Sequence, residues 1–201
     1  MNIQNTKISK ISKRGFTLIE LLVVIAILAV LATVSVLVLN PAELIRQGRD
    51  STRISDLATL NSALALYLAD VATPSLGTSC VGEAIVNDIL TAAGTSPLVG
   101  TSIVNALTAV NGTGWVSVNL TTVTGGSPLS KLPMDPLNNT TNFYAYGCDK
   151  TALRYEVNAN MESGKYQGGA TPGSNDVESN SKDGGNNNDW YEVGSDPGLD
   201  L

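Results

Sequence analysis

Between Phe16 and Leu39 the sequence carries one charged side chain, Glu20, in an otherwise apolar run. An unpaired carboxylate in such a run costs up to a few kcal/mol, depending on its depth in a membrane, so Glu20 needs a cationic or hydrogen-bonding partner. Nothing around it points to acid–base catalysis, because the chain has no His, the commonest general base and metal ligand. It also lacks a Gly-rich phosphate loop ahead of a helix, a Cys-x-x-Cys pair and a Gly-x-Ser-x-Gly turn, so an enzyme reading has no residues to attach to. Three other groups of residues carry chemistry. Cys80 and Cys148 are the only two cysteines; Arg46, Arg49 and Arg53 recur along one stretch; and Asp183 and Asp189 flank a Gly-Gly pair in an acidic tail.

The element that must position Glu20 is a helix. Residues 16–39 would span about 36 Å at 1.5 Å per residue, enough to cross a hydrocarbon core about 30 Å thick with some tilt. Lys7, Lys10, Lys13 and Arg14 precede the run with no acid among them. The positive-inside bias therefore keeps residues 1–15 cytoplasmic and sends the rest of the chain outward. A cleaved secretory signal has a shorter apolar core followed by a small-x-small site; here the core is too long, and the nearest approximation, Thr33-Val-Ser35, lies inside it. A plain uncleaved anchor satisfies the hydropathy but leaves Glu20 unexplained.

The stretch Gly15-Phe16-Thr17-Leu18-Ile19-Glu20, after a short basic leader and before a continuous apolar helix, resembles the class III signal of type IV pilins and type II secretion pseudopilins. The resemblance implies that a membrane-embedded prepilin peptidase cuts after Gly15 and methylates the new N-terminal Phe16. It also implies that Glu20 assists filament assembly by pairing with the Phe16 amine of a neighbouring subunit. Because the apolar run follows the cut, processing would remove the leader and keep the anchor. The net charge of −6 would become −10 on losing those four cations, and an acidic head does not favour non-specific DNA binding.

Downstream, Asn40-Pro41 should kink or restart the helix. From Ala42 the pattern turns amphipathic, with Ile54, Leu57, Asn61, Leu64 and Leu68 stepping by three and four and Leu60 and Tyr67 widening the stripe. This predicts helix to about Asp70, closed by Thr73-Pro74. The three arginines have two readings: a solvated helix face, or pairing between subunits with acids such as Asp56 or Glu43 of a neighbour. Spacing predicts a helix over residues 83–93 and a short helix or turn over 103–110. Trp115–Leu120, Phe143–Cys148 and Arg154–Glu162 alternate as strands, and the last two are joined as a hairpin through Asp149-Lys150-Thr151. On the final strand Tyr155, Val157, Ala159 and Met161 face one way and Arg154, Glu156, Asn158, Asn160 and Glu162 the other, as a sheet with one wet face requires.

The expected architecture is α+β. It has a cleaved leader (1–15), a transmembrane and assembly helix (16–40), a head (41–168) in which an amphipathic helix packs on a small antiparallel sheet, and an acidic Asn/Gly-rich tail (169–201). In the tail, disorder competes with a calcium site at Asp183 and Asp189, whose oxygens suit that ion. Calcium binding by major pseudopilins adds to the second reading, and Trp190-Tyr191-Glu-Val193 reads as a docking anchor. On this topology the cysteines lie in an oxidising compartment, so a Cys80–Cys148 bridge competes with two buried thiols. The expected role is a structural subunit with no enzymatic activity, inserted in the inner membrane with its C-terminus outside and then built into a surface or periplasmic filament. Its expected partners are copies of itself, the prepilin peptidase, an inner-membrane assembly platform and membrane lipid before assembly; nucleic acid enters only if the filament is a DNA-uptake pilus. The alternative is a monomeric membrane-anchored surface protein whose head binds a ligand or cations.

Overall fold

The computed structural model describes residues 15–77, 87–88, 103–167, 176–179 and 181–198. Its contacts divide the chain into two units, Met1–Pro41 and Ala42–Leu201.

The first unit is built on helix α1, Leu18–Leu39, with Thr17 as its N-cap. The Thr17 hydroxyl oxygen accepts the Glu20 amide at 3.3 Å, and Glu20 Oε2 accepts the Thr17 amide at 2.8 Å. This reciprocal capping box satisfies two of the donors that a helix start leaves open. Polar side chains further along are also satisfied within the helix, Thr33 donating to the Val30 carbonyl and Ser35 to that of Leu31. No residue of α1 is buried. Among the described residues it belongs to the one helical stretch long and apolar enough to cross a membrane. The helix stops at Leu39 because Asn40 turns left-handed (φ 39°), a conformation Asn tolerates better than other side-chain-bearing residues. Pro41 then opens α2, Pro41–Asp70, at the position where a missing N–H costs no helical hydrogen bond.

In the second unit α2 buries Leu57, Leu60, Leu64 and Tyr67 of the predicted stripe together with Ala63, and half-buries Ile54, Asn61 and Leu68. The buried five pack with Trp115, Val116, Val118 and Leu120, and with Tyr144, Tyr146, Tyr155, Val157 and Ala159 of the sheet. Each fully buried aliphatic side chain contributes roughly 1.5–3 kcal/mol. The core tyrosines keep their hydroxyls satisfied: Tyr146 donates to the Leu76 carbonyl at 3.1 Å and Tyr155 to Asn61 Oδ1 at 2.6 Å.

Five strands form the sheet: β1 (Asn87–Asp88), β2 (Ile103–Val104), β3 (Tyr144–Asp149), β4 (Arg154–Ala159) and β5 (Tyr191–Gly194). The spatial order is β2-β1-β3-β4-β5, with β1 and β2 parallel and every other pairing antiparallel. The fold is α+β and pilin-like, a long N-terminal helix with a small antiparallel sheet. In the β3–β4 hairpin, Asp149 Oδ1 accepts the amides of Thr151 and Ala152 at 2.8 and 3.0 Å, closing the turn the sequence predicts.

Four expectations are corrected. Asn87–Asp88 is strand, not helix, and the rest of 83–93 lies outside the described residues. Ile103–Val104 is also strand. Trp115–Leu120 joins no sheet, although its apolar residues are buried as expected. Its backbone bonds instead to the preceding loop, Trp115 N to the Leu107 carbonyl at 2.9 Å and Leu120 N to that of Val110 at 2.8 Å. Gly114 permits this approach, since a Cβ there would lie 2.1 Å from the Ala109 carbonyl oxygen. Finally, the second face of β4 is not wet: Glu156 and Asn158 are buried. The segment ending in β5 adds a strand outside β4, and Trp190 packs edge-on to Phe143 with ring centroids 5.1 Å apart. Phe143, Ala145 and Trp190 form a second small apolar cluster, so the Trp190-Tyr191 anchor docks as expected.

Candidate functional site

The N-terminal signal is built from four residues. Gly15 is exposed, and a Cβ added there would meet nothing within 4 Å among the described residues. Phe16 is also exposed. Glu20 lies on the first turn of α1, its Oε2 held by the Thr17 amide and by the Thr17 hydroxyl at 2.6 Å. The carboxylate thus has local donors while no cation is beside it among the described residues. The leader residues before Gly15 lie outside the described residues.

In the head the geometry differs most from the sequence reading at the arginines. Arg53 is fully buried, its Nε 2.6 Å from Asp135 Oδ2 and its Nη1 2.7 Å from Asp50 Oδ1 and 2.6 Å from Glu162 Oε1. Arg49 makes a two-pronged ion pair with Glu162. Asp50 in turn accepts the backbone amides of Glu162 and Ser163, at 3.0 and 2.8 Å. This network joins α2 to the chain leaving β4 and to the Asp135-Pro136 turn. Burial alone would lower the Arg53 pKa, but Asp135, Glu162 and Asp50 outweigh it and raise it. Burial pushes Glu162 up, yet its bonds to Arg49 and Arg53 prevail and hold it below the usual carboxylate range. Arg49 and Arg53 are therefore neither a solvated face nor available to a neighbour. Arg46 alone of the three is well exposed, with only a long 3.9 Å pairing to Glu43. Asp56 sits half-buried above, where its Oδ2 accepts the Tyr144 hydroxyl at 2.9 Å and burial raises its pKa.

At the C-terminal end Asp183 directs its carboxylate to the backbone amides of Gly185 and Glu192, at 3.0 and 3.2 Å. Asp189 is exposed, and its carbonyl accepts Asn160 Nδ2 at 3.2 Å. Glu192 accepts the amides of Asn186 and Asn187 at 2.8 and 3.0 Å, and burial raises both Glu192 and Asp183. Among the described residues no group of three or more Asp, Glu, His or Cys side chains is placed to hold a metal ion. Cys148 is buried in the core with its Sγ 3.7 Å from the Leu76 carbonyl oxygen; Cys80 lies outside the described residues.

Residues 10–36 match the family model described as the prokaryotic N-terminal methylation motif. This is the class III prepilin signal of type IV pilins and pseudopilins, and it covers the basic leader's end, Gly15, Phe16, Glu20 and most of α1. No curated protein and no solved structure matches the chain.

Proposed function

We propose that this chain is a structural prepilin subunit of a type IV pilus or type II secretion pseudopilus, processed after Gly15, methylated at Phe16 and polymerised through α1. The observation that carries the reading is a methylation motif that runs from the end of the basic leader through most of an apolar helix with no buried residue and one acid. Among the described residues nothing lies within 4 Å of a Cβ added at Gly15, so a side chain there would meet open space. The exposed apolar surface of α1 suits lipid before assembly and the packed centre of a filament afterwards, at little hydrophobic cost because both are apolar. In the subunit alone Thr17 satisfies the Glu20 carboxylate, and in the filament a neighbour's Phe16 amine supplies the charge it lacks. The inner-membrane assembly platform and the prepilin peptidase are the partners this role requires, with the head outside the membrane.

Two accessory features belong to the same proposal. A Cys80–Cys148 bridge would tie the loop after α2 to the sheet, stabilising the head by on the order of 4 kcal/mol in the entropic model. Two free thiols in denatured, unreduced protein would refute it. Calcium at Asp183 and Asp189 would stabilise the C-terminal segment by mass action, and a melting curve unmoved by millimolar calcium would remove that reading.

The direct test of the assembly role is Glu20→Ala. Insertion and processing should persist while filament yield collapses. Wild-type yield from this variant would favour the monomeric anchored surface protein instead.

A further inference from the structure

One shallow groove on the head has charges that the fold leaves without ionic partners. It is lined by Asp56 and Thr59 of α2 and by Leu129, Ser130, Lys131 and Pro133, and has a volume of about 250 Å³. Asp56 spends one oxygen on Tyr144, and among the described residues no cation lies within 4 Å of it and no acid within 4 Å of Lys131. The groove thus presents an anion and a cation, with Leu129 and Pro133 as apolar parts of its lining.

The same head carries the complementary doublet elsewhere. Glu43 and Arg46 are one turn apart on α2, held only at 3.9 Å, with the Arg46 side chain 53% exposed. Such a pair contributes little where it stands. The other two arginines of the stretch are consumed inside the head by Glu162, Asp50 and Asp135, which leaves Arg46 as the cation this face offers.

We infer that the groove is an interface between copies of this chain, with Arg46 of one copy pairing with Asp56 of the next and Glu43 pairing with Lys131. Each charge then meets its opposite. The two patches are different surfaces of one chain, so the contact is head-to-tail and does not close on itself as a two-fold contact would; repeated, it propagates a filament. Arg46 and Asp56 lie ten residues apart on α2, about 15 Å along its axis. Copies with parallel helices would therefore be offset by about that distance. This inference rests on the filament reading and specifies which head surfaces meet within it.

Charge exchange tests it in cells that assemble the full-length chain, read as the yield of sheared filaments beside total and processed subunit. Arg46→Glu and Asp56→Arg should each lower yield about tenfold, and the double exchange should restore it to within about twofold, because like charges repel and the swap re-pairs them. Asp56→Arg also takes an acceptor from Tyr144, so a second exchange, Glu43→Lys with Lys131→Glu, repeats the test without touching that bond. Rescue by either double exchange supports the interface. Processed wild-type subunit that forms filaments indifferent to all four single changes, or single defects that neither double exchange relieves, would overturn the interface and leave the filament reading standing. A wild-type chain that is never processed and forms no filament overturns both.

Discussion

Arg53 is a fully buried cation with three acids around it, and its removal leaves the buried carboxylates of Asp50 and Asp135 with backbone amides but no cation. Arg53→Ala should therefore destabilise the head by about 3–5 kcal/mol, measured by denaturant unfolding of the detergent-solubilised chain. Arg46→Ala on the same helix should cost under about 0.5 kcal/mol, as an exposed pair does. Glu162 gives the network a pH signature. Its pKa is depressed in the fold, so the stability it contributes is present above its unfolded value and is lost as pH falls through the folded one. Acid titration should weaken the wild-type head below about pH 4.5, and Glu162→Gln should flatten that part of the profile while lowering stability at neutral pH. An unchanged profile would remove Glu162 from the network's energetics. Most of this was not legible at the level of the residue. The sequence shows three arginines at helical spacing, but the partners of Arg53 and Arg49 lie 82 and 113 positions away. Only the Asp50–Arg53 pair, one turn apart, could have been read locally.

Elements governed by a local period were legible. The α2 stripe, the restart at Pro41 and the β3–β4 hairpin all follow from side-chain spacing or from turn residues. What a period does not reveal is what covers a face. Alternation separates Glu156 and Asn158 from the core side of β4 correctly, yet both are buried because a segment some thirty residues later adds β5 and seats Trp190 on Phe143. The region around Trp115 alternates too, but its backbone partners are loop carbonyls, a choice made by tertiary closure and permitted by Gly114. The edge strand should depend on its anchor. Trp190→Ala should cost about 3 kcal/mol, and amides of Tyr191–Gly194 should lose hydrogen-exchange protection before those of β3. Equal protection in the variant would show that β5 holds by its four-residue pairing alone.

At the scale of the whole molecule, the methylation motif and the apolar helix were the most legible parts, since both are properties of contiguous sequence. The head's arrangement was less so, because it depends on long-range pairing of short strands. The two units answer different demands. α1 has no buried residue and needs lipid or other copies around it, whereas residues from Ala42 onward enclose their own core. A chain so divided is suited to a subunit that inserts by one end and presents the other. The central claim is that the glycine and the phenylalanine ahead of α1 are a processing junction. Intact-mass and N-terminal analysis of the membrane-derived protein decides it most directly. The account predicts a chain beginning at Phe16 with a methyl group on its amine, and retention of Met1 through Gly15 in the mature wild-type protein would contradict it.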